Sequence, residues 1–545
     1  MQSRQAKHRR SYPRRRSSPL TSGAEELLSK LELVTPSFSA RHIPEPQLLF
    51  GGRQRSDDPK TGLLLYGPVG LARAPRTAIR IGVVGTSDTV QLFKTWAENS
   101  RGHVAAGLNT KGKAYHPIVY PDFPGFDLDT PFQCRLEVGR CETLRESDIQ
   151  AALFEPNYHL RVSRIVEMVI QRLEVLVGQD PGPDVIVVTL PTVVQQRCGV
   201  EGRRGILGRP IFTKAEKVQR RLEKSAADTG QALLGFFDDQ ARNEGDEDAY
   251  CWDFHNSLKA AAMRFDPPTQ LIWEATLSGV SGREDPATTA WNLYTALYYK
   301  AGNTPWELEN SMARTCFVGI SFYRESHAPD AQYRTSLAQA FSPNGEGIIL
   351  KGDRAVYDPA RDRQYHLSRE SCRQLLQRAL SSTEGLMGGG PERVVVHKTS
   401  RYWPEELEGM KEALSTCLSV RSCDMLAVQD RGIRFMRLGA HPPVRGTVVQ
   451  LARRNYLVFT QGYIPTYREF PGARIPTPLE IVEHHGDSDG DRVCGEILAL
   501  SKLNWNACKY ASREPITLAF SRQVGRILSE IQPGGVCRDK YRYFM

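Results

Sequence analysis

Four residues spaced through one stretch of the chain could together hold a compact anion. His255 and Lys259 stand at i, i+4, which places both side chains on one face of a helix. Gln270 follows the Pro267-Pro268 turn and opens an apolar run, Leu271 to Leu277, that reads as extended. Lys300 closes a second helix-like run that begins near Trp291. One imidazole, two ammonium groups and one amide form a donor set suited to a terminal phosphate, and a nearby helix N-terminus would add backbone N–H groups. On spacing alone, two solvated residues on a helix face are the competing reading.

The other chemistry to look for is carboxylate chemistry. A two-metal nuclease of the ribonuclease H type needs strand-borne carboxylates converging on hard divalent ions. At the ends of the two best strands the chain offers Ser321 after Ile320, and Thr399 after His397-Lys398. Neither is a carboxylate, and Lys398 is expected to repel a divalent ion. Asp487, Asp489 and Asp491 mimic the first half of a calcium loop. However, the sixth position is Arg492 rather than Gly and the twelfth is Leu498 rather than Glu, so an acidic turn capping a helix is expected instead. His484-His485 reads as a surface pair. No GxSxG, HExxH or Walker A sequence is present.

The elements that must position these groups come from periodicity. Ala78 to Val84 is a strand, followed by a Gly85-Thr86-Ser87-Asp88 turn and a helix through Trp96. Residues 156–176 have helical spacing and lead into a buried strand, Asp184 to Leu190. Tyr250 to Phe254 reads as a short strand delivering the chain to His255. Helix and strand alternate from 78 to 310, which predicts an α/β doubly wound sheet with its ligand beyond the strand ends. From Thr315 the strands CFVGISFYR, Tyr333 to Phe341, GEGIILKGD, RVVVHKTS, CDMLAVQD, IRFMRLG, GTVVQLARR and YLVFTQGYI predict a mixed sheet. Helices are expected at Ser368–Ser381, from WPEELEGMKEALS, at Asp491–Ala511 and at Ile516–Ile531.

Composition bounds the class. At 545 residues, with 40% apolar and 24% charged residues, the chain is long enough for two to four soluble domains. A net charge of +9 permits nucleic acid as a partner. Its 11 cysteines form no CxxC pair, so neither a zinc site nor a disulfide framework is supported, and a reducing cytoplasmic location is expected. No apolar run is long enough to cross a membrane. An Arg-rich arm at 1–40, an extended lead-in at 41–75 and a charged insertion at 199–249 complete the expected organisation.

The run LSKLNWNACKYASREPITLAFSRQVGRILSEI with the terminal YRYFM resembles the end of PIWI domains in prokaryotic Argonautes. CFVGISFYR and RVVVHKTS resemble the PIWI strands that carry the first and third catalytic acids in active members. ATTAWNLYTALYYKAGNTPWELE looks like the junction between MID and PIWI. The order His255, Lys259, Gln270, Lys300 matches the MID motif that holds a guide 5′-phosphate, in its histidine-lysine form. The resemblance covers about residues 76–545.

It implies a Rossmann-like MID domain at 76–310 and a ribonuclease H-like PIWI domain at 311–545. Ser321 and Thr399 then occupy degenerate catalytic positions, and cleavage is not expected; an active slicer using Asp424 or Asp487, or a non-guided nucleic-acid scaffold, are the alternatives. With no N or PAZ domain before MID, the chain is similar to short prokaryotic Argonautes. Those proteins load a small guide RNA, recognise complementary single-stranded DNA of plasmids or phage, and work with an APAZ-domain partner carrying a TIR, sirtuin-like or nuclease effector. The resemblance also implies a Mg²⁺ at the guide phosphate, shared with the carboxylate of Met545.

Overall fold

The computed structural model describes residues 39–545 apart from 74, 109–115, 200–253, 280–284, 310–313, 325–333, 342–346, 388, 431, 436–441, 473–474 and 532–533. The Arg-rich arm and the charged insertion therefore lie outside the described residues, as does all of the expected Tyr250–Phe254 strand except Phe254. Phe254 is helical, which overturns the strand reading at that position.

The first layer is a four-stranded parallel sheet of β1 (Ala78–Gly85), β2 (Arg135–Thr143), β3 (Val185–Leu190) and β4 (Thr269–Trp273), in the order β2-β1-β3-β4. Alternate residues of β3 feed different cores. Val185 and Val187 join the cluster containing Val90 and Phe93, whereas Ile186 and Val188 join the cluster containing Ile165 and Val169. Helices thus cover both faces, as all-parallel sheets require. Those helices include α2 (Ser87–Asn99), which starts with a Thr86–Thr89 capping box, and α3 (Tyr158–Val177), capped by Asn157. The apolar run after Gln270 is not extended throughout: β4 stops at Trp273, and Glu274–Leu277 turns into a short helix.

The lead-in is not merely extended. It carries α1 (Pro59–Tyr66), with Asp58 as N-cap and Pro59 at its first position, together with short strands at Leu48–Leu49 and Arg55–Ser56. Leu48–Leu49 pairs with Glu307–Leu308 just past α5 (Pro286–Lys300), and Arg73 bridges to Glu307 at 2.5 Å. At its other end Glu45 sits between Arg445 (2.9 Å) and Lys502 (2.7 Å). The two cations hold the Glu45 carboxyl below its usual range despite burial, and burial brings Lys502 down to about 8.

The second layer is a nine-stranded mixed sheet. Its order is Ser39–His42, β10 (Thr447–Ala452), β11 (Asn455–Val458), β12 (Leu479–Gly486), β9 (Ser422–Asp430), β8 (Arg393–Lys398), β5 (Thr315–Arg324), β6 (Arg334–Phe341) and β7 (Gly347–Arg354). Central β8 is parallel to both β5 and β9, and the outer pairs among β5–β12 are antiparallel. Val394 and Val396 pack on α6 (Arg369–Met387) and α7 (Pro404–Ser415). Val395 faces the cluster of α8 (Gly490–Leu500) and α9 (Ile516–Leu528). Gly319 of β5 is required here, because a Cβ would lie 2.0 Å from the Thr517 carbonyl oxygen.

Three sequence expectations fail in this layer. The segment expected to be helical through Ala511 stops at Leu500, with Ser501 as its C-cap, and Lys502 to Ala511 is turn and loop. Ile433–Phe435 is not a strand, and the rest of that segment, 436–439, lies outside the described residues. YLVFTQGYI is a strand only through Val458.

Candidate guide phosphate pocket

His255 and Lys259 lie on α4 (Phe254–Ala262), Gln270 on β4, and Lys300 at the end of α5. The fold draws them together. Lys259 Nζ and Lys300 Nζ both donate to the Thr269 carbonyl oxygen, Lys300 at 3.0 Å. Lys300 Nζ also donates to Gln270 Oε1 at 2.5 Å and to the main-chain oxygen of Met545 at 3.0 Å. The last contact joins two residues 245 positions apart in sequence.

Both lysines are out of water: Lys259 is 2% exposed and Lys300 is 0% exposed. Neither is ion-paired to a side-chain carboxylate among the described residues. Burial therefore dominates their titration. It brings Lys259 down to about 7 and, helped by the neighbouring Lys259 charge, holds Lys300 well below the ordinary ammonium range. His255 is pushed down to about 4, first by burial and then by the two lysines.

Two braces hold the pocket to the second layer. Ser257, between His255 and Lys259 on α4, donates to Glu530 Oε2 at 3.0 Å. On α9, Gln523 Nε2 donates to the Phe544 carbonyl at 3.1 Å, next to Met545.

A cleft of about 300 Å³ opens at the opposite end of α5, where Thr288 lies twelve residues before Lys300, roughly 18 Å along a helix. Lys60, Tyr120, Tyr467, Lys509 and Tyr510 share its lining. Lys60 Nζ donates to the Val119 carbonyl at 3.3 Å and lies 5.7 Å from the centre of the Tyr120 ring. Sequence reasoning missed these residues; the Lys509-Tyr510 pair, a cation beside an aromatic, was the available signal.

At the strand ends, Ser321 and Thr399 each lie one residue past the last register pair of β5 and β8, Ile320 with Lys398. Ser321 is buried and its hydroxyl has no hydrogen-bond partner. Lys398 does not confront them, contrary to the sequence expectation. Alternation puts it on the other face, where Nζ meets Glu406 at 2.5 Å and the pair is fully buried beside His366.

The His484-His485 reading needs the same kind of correction. His485 is exposed, but His484 is buried and bonded to Asp424 Oδ1 at 2.7 Å. Asp424 also receives Arg393 at 2.7 Å and Ser488 through both Oγ and N. Burial raises the Asp424 carboxyl, but these partners outweigh it and hold it below its usual range. Asp489 caps α8 and Asp487 accepts the Cys423 N–H at 3.1 Å, so both have structural tasks.

The magnesium expected at the phosphate can be tested against these atoms. The oxygens on offer are Thr269 O, Gln270 Oε1 and Met545 O, and Lys300 Nζ already contacts all three. A second amine shares Thr269 O, and the one carboxylate oxygen in the set, that of Met545, is already taken by Lys300. Mg²⁺ demands octahedral oxygen ligation, and with Lys300 Nζ in contact with every oxygen here this donor set does not fit it.

No family model and no curated protein matches the sequence. Solved structures do match. One is Clostridium butyricum Argonaute bound to a guide DNA and a 19-mer target DNA, at 13% identity and a TM-score of 0.57, covering 91% of this chain and 53% of that one. The fold is that of an Argonaute. Drosophila Piwi also superposes, at 11% identity and a TM-score of 0.52, over 93% of this chain and 56% of that one. The chain thus spans about half the length of the Argonautes it matches. Its two layers are an Argonaute-like MID and PIWI pair. Among the described residues no helix is long and apolar enough to cross a membrane.

Proposed function

We propose that this chain holds a small guide RNA by its 5′-phosphate and pairs it with complementary single-stranded DNA of invading plasmids or phage, without cutting the target. One observation carries this reading: two buried lysines converge, and among the described residues the carboxylate oxygen of Met545 is the one anionic group they touch. Two buried amines facing one carboxylate oxygen keep their charge only at a cost, and an arriving phosphate would offset it. His255, Lys259, Gln270 and Lys300 would supply the donors, and the cleft beyond Thr288 would accept the following nucleotides through backbone charge and aromatic stacking. Base pairing, rather than the protein, would read the sequence.

Ser321 and Thr399 at the strand ends, with Asp424 consumed by Arg393 and His484, favour binding over hydrolysis. As the resemblance to short prokaryotic Argonautes implies, we assign it an APAZ-effector partner acting in the cytoplasm in prokaryotic immunity. The effector would be a TIR, sirtuin-like or nuclease domain.

The test uses purified protein with RNA bearing either a 5′-phosphate or a 5′-hydroxyl. The phosphorylated strand is expected to bind more tightly, and equal affinity would sink the pocket assignment. Adding complementary single-stranded DNA with Mn²⁺ should leave the DNA intact; guide-dependent shortening would identify a slicer instead.

A further inference from the structure

We infer that the ammonium group of Lys300 stands in place of a divalent cation, so that the pocket captures its phosphate without metal. This rests on the reading of the pocket as a 5′-phosphate site. Hard divalent ions gather oxygens, and the three oxygens that converge here are all within 3.0 Å of Lys300 Nζ. The amine sits at the centre of the oxygen set.

Thr269 O shows how this arrangement would accept a ligand. It takes hydrogen bonds from both Lys259 and Lys300, one more than is needed to satisfy a buried carbonyl. Either amine can turn one N–H toward an incoming phosphate oxygen while the other keeps Thr269 O paired. The Gln270 and Met545 oxygens keep Lys300 aimed during that exchange. With all three oxygens already held by the Lys300 amine, a divalent ion would find none of this set free to bind.

The experiment measures the affinity ratio of a 5′-phosphorylated over a 5′-hydroxyl RNA oligonucleotide, once with EDTA and once with Mg²⁺. Taking the ratio cancels the effect of Mg²⁺ on the rest of the backbone. For the wild-type chain the ratio should agree between the two media to within about twofold, since the donors are the protein's own. A ratio that collapses in EDTA and returns with Mg²⁺ overturns the inference. A ratio near one in both media would defeat the phosphate reading itself, which separates the two failures. In EDTA, Lys300→Met should cut the ratio at least about tenfold, the loss of one charge-assisted hydrogen bond. Full retention by that variant would also overturn the inference. If the variant does not fold, as judged by its thermal melt, the wild-type comparison still decides.

Discussion

Replacing His255 and Lys259 together by alanine is expected to weaken binding of a 5′-phosphorylated strand by about two to four orders of magnitude. Each hydrogen bond to a charged group contributes ~1.5–3 kcal/mol, and the double change removes two donors. Binding of the 5′-hydroxyl strand should hardly change, because the cleft residues are untouched. Equilibrium binding of both strands to both proteins checks this, and parallel losses would mean that the substitutions damage the fold instead.

The same lysine predicts how binding follows pH. Lys259 has been brought from an ordinary 10.5 to about 7 by burial, and a bound phosphate would raise it again. Above pH 7 the complex then holds more protons than the free protein, so affinity should fall as pH rises from 7 to 9. The limit is about tenfold per pH unit per proton. Over this range the phosphate is already a dianion, so it contributes little to the slope. Stability of the unliganded chain should move the other way. Its unfolded form binds the extra proton between about 7 and 10.5, so Lys259 makes the free protein more stable as pH rises through that window. Opposite slopes in affinity and stability are the signature; a pH-independent preference for the 5′-phosphate would contradict it.

The second large effect lies away from the pocket. Asp424→Ala should destabilise the chain by about 3–5 kcal/mol, the usual result of removing one partner of a buried ion pair. Asp424 is 0% exposed and joins β9 to Arg393 on β8 and His484 on β12, with Ser488 closing the loop before α8. Glu496 shares Arg393, at 2.9 Å, but burial lifts its own carboxyl to about 7, so it is a poor substitute anion. Denaturant unfolding measures the change. A loss under 1 kcal/mol would show that the cluster does not hold these strands together.

The contrast between these sites explains what could be read in advance. His255 and Lys259 are four residues apart, so helix geometry alone placed them on one face. Gln270 and Lys300 sit on separate elements, so no spacing rule tied them to that pair; residue type suggested the set and likeness to known MID domains supported it. The buried strands at Val185–Leu190 and Arg393–Lys398 were legible because continuous apolar runs have few other uses. His484 was misread because its partner, Asp424, lies 60 residues away in sequence and no local pattern announces an antiparallel neighbour. Lys398 was misjudged for a related reason: alternation hides a charge on the far face, and Glu406 is supplied by the following helix. The run after Gln270 read as one strand, since periodicity does not separate a short buried strand from the helical turn that follows.

The lead-in carries a consequence for how this protein can be divided. Glu45 balances Arg445 and Lys502, while Leu48–Leu49 completes a small sheet with the segment that follows α5. A fragment cut at residue 76 would leave two buried cations without their anion and Glu307–Leu308 without a strand partner. The halves therefore behave less like beads on a string than like two pages sewn through one fold of thread. Expression boundaries for either half should carry residues 40–75 with them.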